Sequence, residues 1–213
     1  KYYKIDNSLF KENKKDYSGK NMISKFKWLL KSGLKTELRA QIQKWPGKLE
    51  MGRNVTVDRT SCLDRYMGGN IKIGDNCYIC AKSKIATCGG DINIGNGVTI
   101  GERTIITAQG GVAIEDNVLF ADRVTIIANE HIYNDVNIPI KEQGSYCKPI
   151  KIGEGSWLGI NVTILQGTII GKNCVVGAGS VVKGEFPDYC VIAGNPARIV
   201  KIYDSETSTW KKL

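Results

Sequence analysis

The chain has 213 residues, of which 42% are hydrophobic and 24% charged, a composition typical of a folded protein and not of a disordered one. Its seven cysteines form an odd set without the spacing of a disulfide framework, and no apolar run approaches the roughly 20 residues of a membrane span. These features favour a soluble protein of a reducing compartment, which we expect to be the cytoplasm, with the inner membrane surface as the alternative location.

The formal net charge of +9 is distributed unevenly along the chain. Residues 1–47 carry 12 basic and 4 acidic side chains, whereas residues 48–213 carry 18 basic and 17 acidic ones. The body therefore lacks a basic stripe, which argues against a nucleic acid as partner. The sequence predicts a basic N-terminal arm at 1–47 in front of a neutral body.

An amphipathic helix is predicted within this arm, at residues 20–45. Its apolar residues recur at steps of three or four, at Ile23, Phe26, Leu30, Leu34, Leu38, Ile42 and Trp45. Pro46 ends the pattern. The lysine-rich opposite side could contact an anionic membrane surface or an acidic glycan, or the helix could pack on the body with its lysines solvated. The sequence leaves these alternatives open.

From residue 51 onward, a large apolar residue recurs every six positions. The positions are Met51, Val57, Leu63, Ile73, Ile79, Ile85, Ile94, Ile100, Ile106, Ile114, Phe120, Ile126, Ile152, Leu158, Ile164, Ile170, Val176 and Val182. Glycine often follows, and the residue two positions before is mostly Val, Ile or small. This pattern predicts short strands joined by tight corners, three strands to each 18-residue triangular coil.

The predicted coils begin at residues 51, 73, 94, 114, 152 and 170, so that all extra residues leave from the same corner. No 3.6-residue period with helix caps runs through residues 48–186, which argues against a helical or βαβ fold. A generic β-sandwich is the less favoured alternative.

The motifs IKIGDN, INIGNG and IKIGEGSWLG resemble those of the hexapeptide-repeat acyltransferases, over roughly residues 48–202. The stretch KPIKIGEGSWLGINVTILQGTIIGKNCVVGAGSVV is most similar to the sugar and maltose-type O-acetyltransferases. The resemblance implies an all-β core, a left-handed parallel β-helix of about six coils at 48–186, with a loop inserted at 128–149 and a closing segment at 187–213. It also implies a homotrimer that uses acetyl-CoA as co-substrate.

The chain contains one histidine, His131, in the sequence IIANEHIYND. A lone histidine cannot supply the three imidazoles of a zinc hydratase, and we expect no metal. It can act as a complete general base, because its ordinary pKa near 6.5 lets it accept a proton at neutral pH. The resemblance implies a catalytic His131, since the family carries its catalytic histidine at the start of the long loop.

The resemblance also implies a coenzyme site. Trp157 matches the aromatic residue that flanks the pantetheine, and Gly159 matches the residue whose backbone N–H faces the thioester oxygen. The other implied coenzyme contacts are Ala178, Ser180, Lys183, Arg198 and Lys201. Two residues depart from the family pattern: Ile160 replaces a small residue, and Gly184 replaces a frequent basic one.

The inserted loop is rich in hydroxyl, amide and aromatic side chains, which suit a sugar-like acceptor. The candidate acceptor-binding residues are Asn129, Glu130, Tyr133, Gln143 and Tyr146. Glu130 or Asp135 could instead orient the imidazole of His131, and the sequence does not decide between these roles.

The sequence therefore predicts an acetyl-CoA-dependent O-acetyltransferase that modifies a hydroxyl of a carbohydrate, such as a surface polysaccharide or a lipid-linked sugar precursor. The alternatives are an N-acetyltransferase of a nucleotide-linked amino sugar, which would predict an additional nucleotide-sugar domain, and a noncatalytic β-helix that serves as a binding module. A serine O-acetyltransferase would predict a larger helical N-terminal domain.

Overall fold

The computed structural model describes residues 2–4, 47–65 and 67–213. The helix predicted at 20–45 lies outside these residues. Within them the chain consists of 25 short β-strands and one 3-10 turn. None of the described segments forms a helix of the length and apolarity needed to cross a bilayer.

Most of the strands form six complete coils. The first strand, β1 (Tyr2–Lys4), runs antiparallel beside β3 of coil 1. Coil 1 contains β2 (Leu49–Met51), β3 (Thr56–Asp58) and β4 (Cys62–Asp64), and coil 2 contains β5 (Ile71–Ile73), β6 (Tyr78–Ile79) and β7 (Lys84–Ala86). Coil 3 contains β8 (Ile92–Ile94), β9 (Thr99–Ile100) and β10 (Ile105–Thr107), and coil 4 contains β11 (Val112–Ile114), β12 (Leu119–Phe120) and β13 (Thr125–Ile127).

An insertion follows coil 4, with β14 (Asn129–His131), a 3-10 turn (Ile140–Glu142) and β15 (Ser145–Cys147). Coil 5 contains β16 (Ile150–Ile152), β17 (Trp157–Leu158) and β18 (Thr163–Leu165), and coil 6 contains β19 (Ile169–Ile170), β20 (Val175–Val176) and β21 (Val181–Val182). The chain closes with β22 (Glu185–Phe186), β23 (Cys190–Gly194), β24 (Ala197–Asp204) and β25 (Thr209–Lys212).

The strands of successive coils pair in parallel and build three faces. Face 1 contains the first strand of each coil, in the order β2-β5-β8-β11-β16-β19-β22. Face 2 contains the second strands from β3 to β23, and face 3 the third strands from β4 to β21. We call the edge between faces 2 and 3 the second corner, and the edge between face 3 and face 1 of the next coil the third corner. This all-β solenoid supports the predicted left-handed parallel β-helix.

The six-residue repeat marks the interior of the solenoid. Every repeat position except Met51 is buried, and the equivalent residues of neighbouring coils lie in register, as Ile106 does with Ile85 and Ile126. Burial of each large aliphatic side chain stabilises the fold by about 1.5–3 kcal/mol relative to leaving it exposed. The predicted interior positions are therefore confirmed except at Met51, which is half-buried and packs against the core in the first coil.

The extra residues of the coils all lie at the third corner, as their spacing predicts. The chain passes there from Asp64 to Ile71, from Ala86 to Ile92 and from Thr107 to Val112, and the 128–149 insertion leaves from the same corner after β13. Its strands β14 and β15 pair antiparallel and form a hairpin that starts and ends beside the solenoid. One corner thus carries the irregular chain, while the other two stay regular.

The C-terminal segment closes the end of the solenoid. Buried Phe186, Ile192 and Ala197 extend the core beyond coil 6. After a turn at Asn195 and Pro196, β24 runs antiparallel to β23 and β25 pairs with β24, so that face 2 ends in an antiparallel ribbon. The core is covered here by chain that no longer follows the repeat.

Candidate functional site

His131 lies on the inserted hairpin, where it is exposed. It is the last residue of β14 and pairs across the hairpin with Ser145 of β15. No side chain in the described parts of the chain forms a hydrogen bond with its imidazole. The insertion therefore holds the backbone of His131 in a paired strand and leaves its ring free to meet another molecule.

Glu130, the neighbour of His131, is held by three donors. Its Oε2 atom accepts hydrogen bonds from Lys183 Nζ at 2.9 Å, Gln166 Nε2 at 3.0 Å and Tyr146 O–H at 3.1 Å. The contacts with Lys183, Gln166 and Tyr146 lower the pKa of Glu130 from its ordinary 4.5 to about 2. The same bonds to Glu130 raise the pKa of Lys183 and of Tyr146.

The remaining loop residues predicted to bind the acceptor have different surroundings. Tyr133 is exposed, and Asn129 is half-buried at the start of β14. Gln143, in contrast, is used within the loop: its Nε2 donates to the carbonyl oxygens of Asp135 and Ile138, both at 2.7 Å, and its Oε1 accepts the N–H of Asp135 at 3.1 Å. The amide of Gln143 therefore shapes the loop, and its role in acceptor binding stays a prediction.

Gly159 lies at the second corner of coil 5, and its N–H is already used. It donates to the carbonyl oxygen of Val176 in coil 6 at 2.8 Å, within the regular ladder of the solenoid. The predicted role of the Gly159 N–H at the thioester oxygen is therefore wrong. Glycine is required for a different reason, since a Cβ at this position would lie 2.8 Å from Ala178 N and 2.9 Å from Val176 O.

The neighbouring N–H, that of Ile160, has no acceptor among the described residues. At the equivalent position of coil 3, the N–H of Glu102 is capped by Oδ1 of Asp122, one coil further on, at 2.9 Å. Beneath Ile160 the corresponding residue is Ala178, which has no side-chain oxygen. The exposed second corner of coils 5 and 6 thus presents an open backbone donor that the sequence analysis missed. Alignment of the coils against each other would have found it.

The small residues after Ala178 differ in accessibility. A Cβ at Gly179 would meet no atom within 4 Å, which agrees with an open groove at this corner. Ser180 is buried, its hydroxyl donates to Gly177 O at 2.6 Å, and the same oxygen accepts the N–H of Gly194 at 3.1 Å. These two bonds use the hydroxyl of Ser180 within the chain itself, and its predicted contact with the coenzyme stays a prediction.

Three of the predicted coenzyme residues share face 2. Trp157 is exposed, and its row continues through Val175 and Val191 to Lys201, so that Trp157 and Lys201 lie three strand spacings, roughly 14 Å, apart. Arg198 is exposed on the same strand as Lys201. A coenzyme laid along this face would meet an aromatic side chain at one end and basic groups at the other.

Lys183 does not belong to this group. It follows β21 at the third corner, where its ammonium pairs with Glu130. The structure thus separates Lys183 from Arg198 and Lys201 and places it under the hairpin that carries His131.

Among the described residues, no three His, Cys, Asp or Glu side chains cluster in a way that could hold a metal ion. The sulfur atoms of the buried thiols Cys174 and Cys190 lie 3.6 Å apart. Burial is the main cause that raises the pKa of Cys190 to about 12, and the neighbouring Cys174 adds to it. These two thiols are packing residues of the core.

Comparison with known proteins agrees with this architecture. Residues 149–184 match the family described as bacterial transferase hexapeptide (six repeats). The putative lipopolysaccharide biosynthesis O-acetyl transferase WbbJ of Escherichia coli is 36% identical over 168 residues, which cover 75% of this chain and 85% of that protein. The probable acetyltransferase Rv3034c of Mycobacterium tuberculosis is 35% identical over 155 residues, and the chain spans 50% of its length.

Solved structures share the fold at lower sequence identity. A variant of AntD, an N-acyltransferase from Bacillus cereus in complex with dTDP and coenzyme A, superimposes with a TM-score of 0.64 and 18% identity, over 81% of this chain and 91% of that one. This likeness concerns the fold alone. The relatives, such as WbbJ, show that the chain belongs to the hexapeptide-repeat acyltransferases, and within them to the acetyltransferases, which take their acetyl group from acetyl-CoA.

Proposed function

We propose that the chain transfers the acetyl group of acetyl-CoA to a hydroxyl of a carbohydrate, with His131 as general base. The observation that carries this proposal is the placement of His131, which is exposed at the end of β14 on an insertion into an otherwise regular solenoid. The similarity to a lipopolysaccharide biosynthesis O-acetyl transferase supports a glycan as acceptor.

In the proposed reaction, the imidazole of His131 removes the proton of the acceptor hydroxyl as its oxygen attacks the thioester carbon. A tetrahedral oxyanion forms and accepts a hydrogen bond from the N–H of Ile160, which has no acceptor among the described residues. The C–S bond then breaks, the imidazolium returns its proton to the departing thiolate, and the acetyl ester and coenzyme A leave. The reaction requires no acyl-enzyme.

The geometry favours a site built between two copies of the chain. His131 leaves from the third corner after coil 4, whereas Ile160 lies at the second corner of coil 5, so the two lie on different edges of one solenoid. A neighbouring copy can place its second corner opposite the hairpin. The homotrimer expected from the sequence, with three equivalent grooves, would satisfy this geometry.

An amine is the second candidate acceptor, because an N-acyltransferase is among the proteins of similar fold. The two functions differ in their product: an O-acetyl ester is cleaved by mild alkali, whereas an N-acetyl amide survives. If the product is made with radiolabelled acetyl-CoA and mild alkali releases the labelled acetyl group, the result would support a hydroxyl acceptor. Label that stays on the product would show that the acceptor is an amine.

Calorimetric binding of acetyl-CoA is the first test, because it requires no acceptor. Wild type and His131→Ala should bind equally, while Arg198→Ala should bind more weakly, since phosphate groups need a cationic partner. In turnover assays His131→Ala should lose about 10²–10⁴ in kcat. Loss of coenzyme binding by His131→Ala, or full activity of that variant, would overturn the general-base assignment.

A further inference from the structure

The cluster of Glu130, Tyr146, Gln166 and Lys183, which we call the hairpin anchor, joins three separate segments of the chain. Glu130 and Tyr146 face each other across the hairpin, Gln166 lies at the third corner after β18, and Lys183 lies at that corner after β21. All three donors meet the same carboxylate oxygen. We propose that Glu130 is a positioning residue, which fixes the hairpin on coils 5 and 6 and thereby sets the place of the His131 imidazole.

The alternation of side chains along a strand supports this role. Consecutive residues of β14 point to opposite sides, so a carboxylate directed at the solenoid places its neighbour His131 on the outer side. The exposures agree, since Glu130 is half-buried and His131 is exposed. Fixing one side chain therefore fixes the direction of the other.

Gln166 gives the anchor a rigid base. Its side chain is only 4% exposed, and its Nε2 donates to Glu130. Its Oε1 is buried and has no hydrogen-bond partner among the described residues. Burial of an amide with one unsatisfied oxygen is unfavourable, and the hydrogen bond of its Nε2 to Glu130 offsets part of that cost.

This inference rests on the proposed function and reassigns two residues. Glu130 loses the acceptor-binding role, because one carboxylate oxygen already receives three hydrogen bonds. Lys183 loses the coenzyme role, because its ammonium lies 2.9 Å from Glu130. Substitution of Glu130 or of Lys183 should therefore slow the chemical step and leave the affinity for acetyl-CoA unchanged.

Kinetics separate positioning from binding. A displacement of the base by about 1 Å can cost on the order of 10²-fold, so Glu130→Ala should lose about 10²-fold and Glu130→Gln about 10-fold in kcat. Lys183→Met should also lower kcat, with the Kd for acetyl-CoA unchanged. The double variant Glu130→Lys with Lys183→Glu should recover part of the loss relative to either single change.

Glu154→Gln and Lys172→Met are matched controls, because they break another exposed ion pair of the solenoid, at 3.4 Å, outside the hairpin. Both should retain wild-type kcat. A wild-type kcat for Glu130→Gln, or a weaker Kd for acetyl-CoA with unchanged kcat in Lys183→Met, would overturn the positioning role.

A readout without turnover keeps the inference separate from the proposed function. Amide hydrogen exchange of β14 and β15 should accelerate at least about 10-fold in Glu130→Gln while the coils exchange as in wild type. Unchanged exchange of the hairpin would overturn the anchor, whatever reaction the enzyme performs. An enzyme without activity on any hydroxyl acceptor, but with accelerated exchange in this variant, would overturn the proposed function and support the anchor.

Discussion

Substitution of Ala178 by aspartate tests the open N–H at the second corner. At the equivalent position two coils earlier, the carboxylate of Asp122 caps the N–H of Glu102 at 2.9 Å. An aspartate at position 178 would lie one coil beyond Ile160, as Asp122 lies one coil beyond Glu102. Its carboxylate would therefore accept the hydrogen bond of the Ile160 N–H. Because Ala178 is exposed, the new side chain displaces nothing from the core.

The expected loss follows from the removal of one oxyanion donor. Such a loss typically costs about 10²–10³ in kcat, equivalent to about 2.7–4 kcal/mol of transition-state stabilisation. The charge adds a separate effect, since a carboxylate in the groove also repels the coenzyme. Ala178→Asn separates the two, because an asparagine oxygen caps a backbone N–H elsewhere in this solenoid, as Asn96 does for Asp75 at 2.8 Å.

Release of the coenzyme thiol, followed with a chromogenic disulfide, measures the rate, and calorimetry measures acetyl-CoA affinity. Both Ala178 variants should lose kcat, and Ala178→Asn should keep most of its affinity. Ala81→Asp is the matched control, since it places the same side chain at the same corner in coil 2. Wild-type kcat in Ala178→Asn with normal folding would refute the assignment of the Ile160 N–H as oxyanion donor.

Three further predictions concern stability. Because the pKa of Glu130 is lowered from 4.5 to about 2, the contribution of its carboxylate to folding stability is complete above about pH 4.5 and is lost as the pH falls towards 2. The difference in Tm between wild type and Glu130→Gln should therefore shrink over that pH range, and a constant difference would contradict this prediction. Gly159→Ala should lose about 1–3 kcal/mol in urea unfolding, because the new methyl group would meet backbone atoms at 2.8 and 2.9 Å, and an unchanged midpoint would refute this clash. Ile126→Ala should lose about 2–5 kcal/mol in the same assay, since its side chain is fully buried in coil 4, and a loss under 1 kcal/mol would contradict its place in the core.

The fold could be predicted from the sequence because each coil repeats one requirement. An interior position such as Ile106 requires a large apolar residue in every coil. This requirement produces a six-residue spacing that can be recognised in the sequence without knowledge of any distant contact. The third-corner insertions follow from the same spacing. The conformation of residues 128–149 was not predictable in this way, since its contacts with Gln166 and Lys183 join residues 36 and 53 positions from Glu130.

The error in the role given to the Gly159 N–H has a physical origin. A glycine such as Gly159 permits either a close ligand or a close neighbouring backbone, and only the structure shows that the backbone is the cause. Ser180 is small for a similar reason, because it fits a hydrogen-bonded position in the core. The N–H of Ile160 has no acceptor because Ala178 lacks a side-chain oxygen. A comparison of motifs considers the residues that are present and does not detect such a missing group.

Mixed assembly tests the proposed division of the site between copies. His131→Ala removes the base from a hairpin, while Ala178→Asp blocks the donor of a second corner, and each variant alone should be inactive in every groove. If each groove takes His131 from one copy and the corner at Ile160 from its neighbour, a trimer that contains both variants has one groove in which both parts are intact.

Random assembly from equal amounts of the two variants makes about three quarters of the trimers mixed, each with one intact groove in three. Co-refolding should therefore restore about a quarter of the wild-type activity per chain, as expected for C3 symmetry. Separate refolding followed by mixing without exchange should restore none. A co-refolded sample as inactive as its parents would show that base and donor act within one chain, and would refute the shared groove.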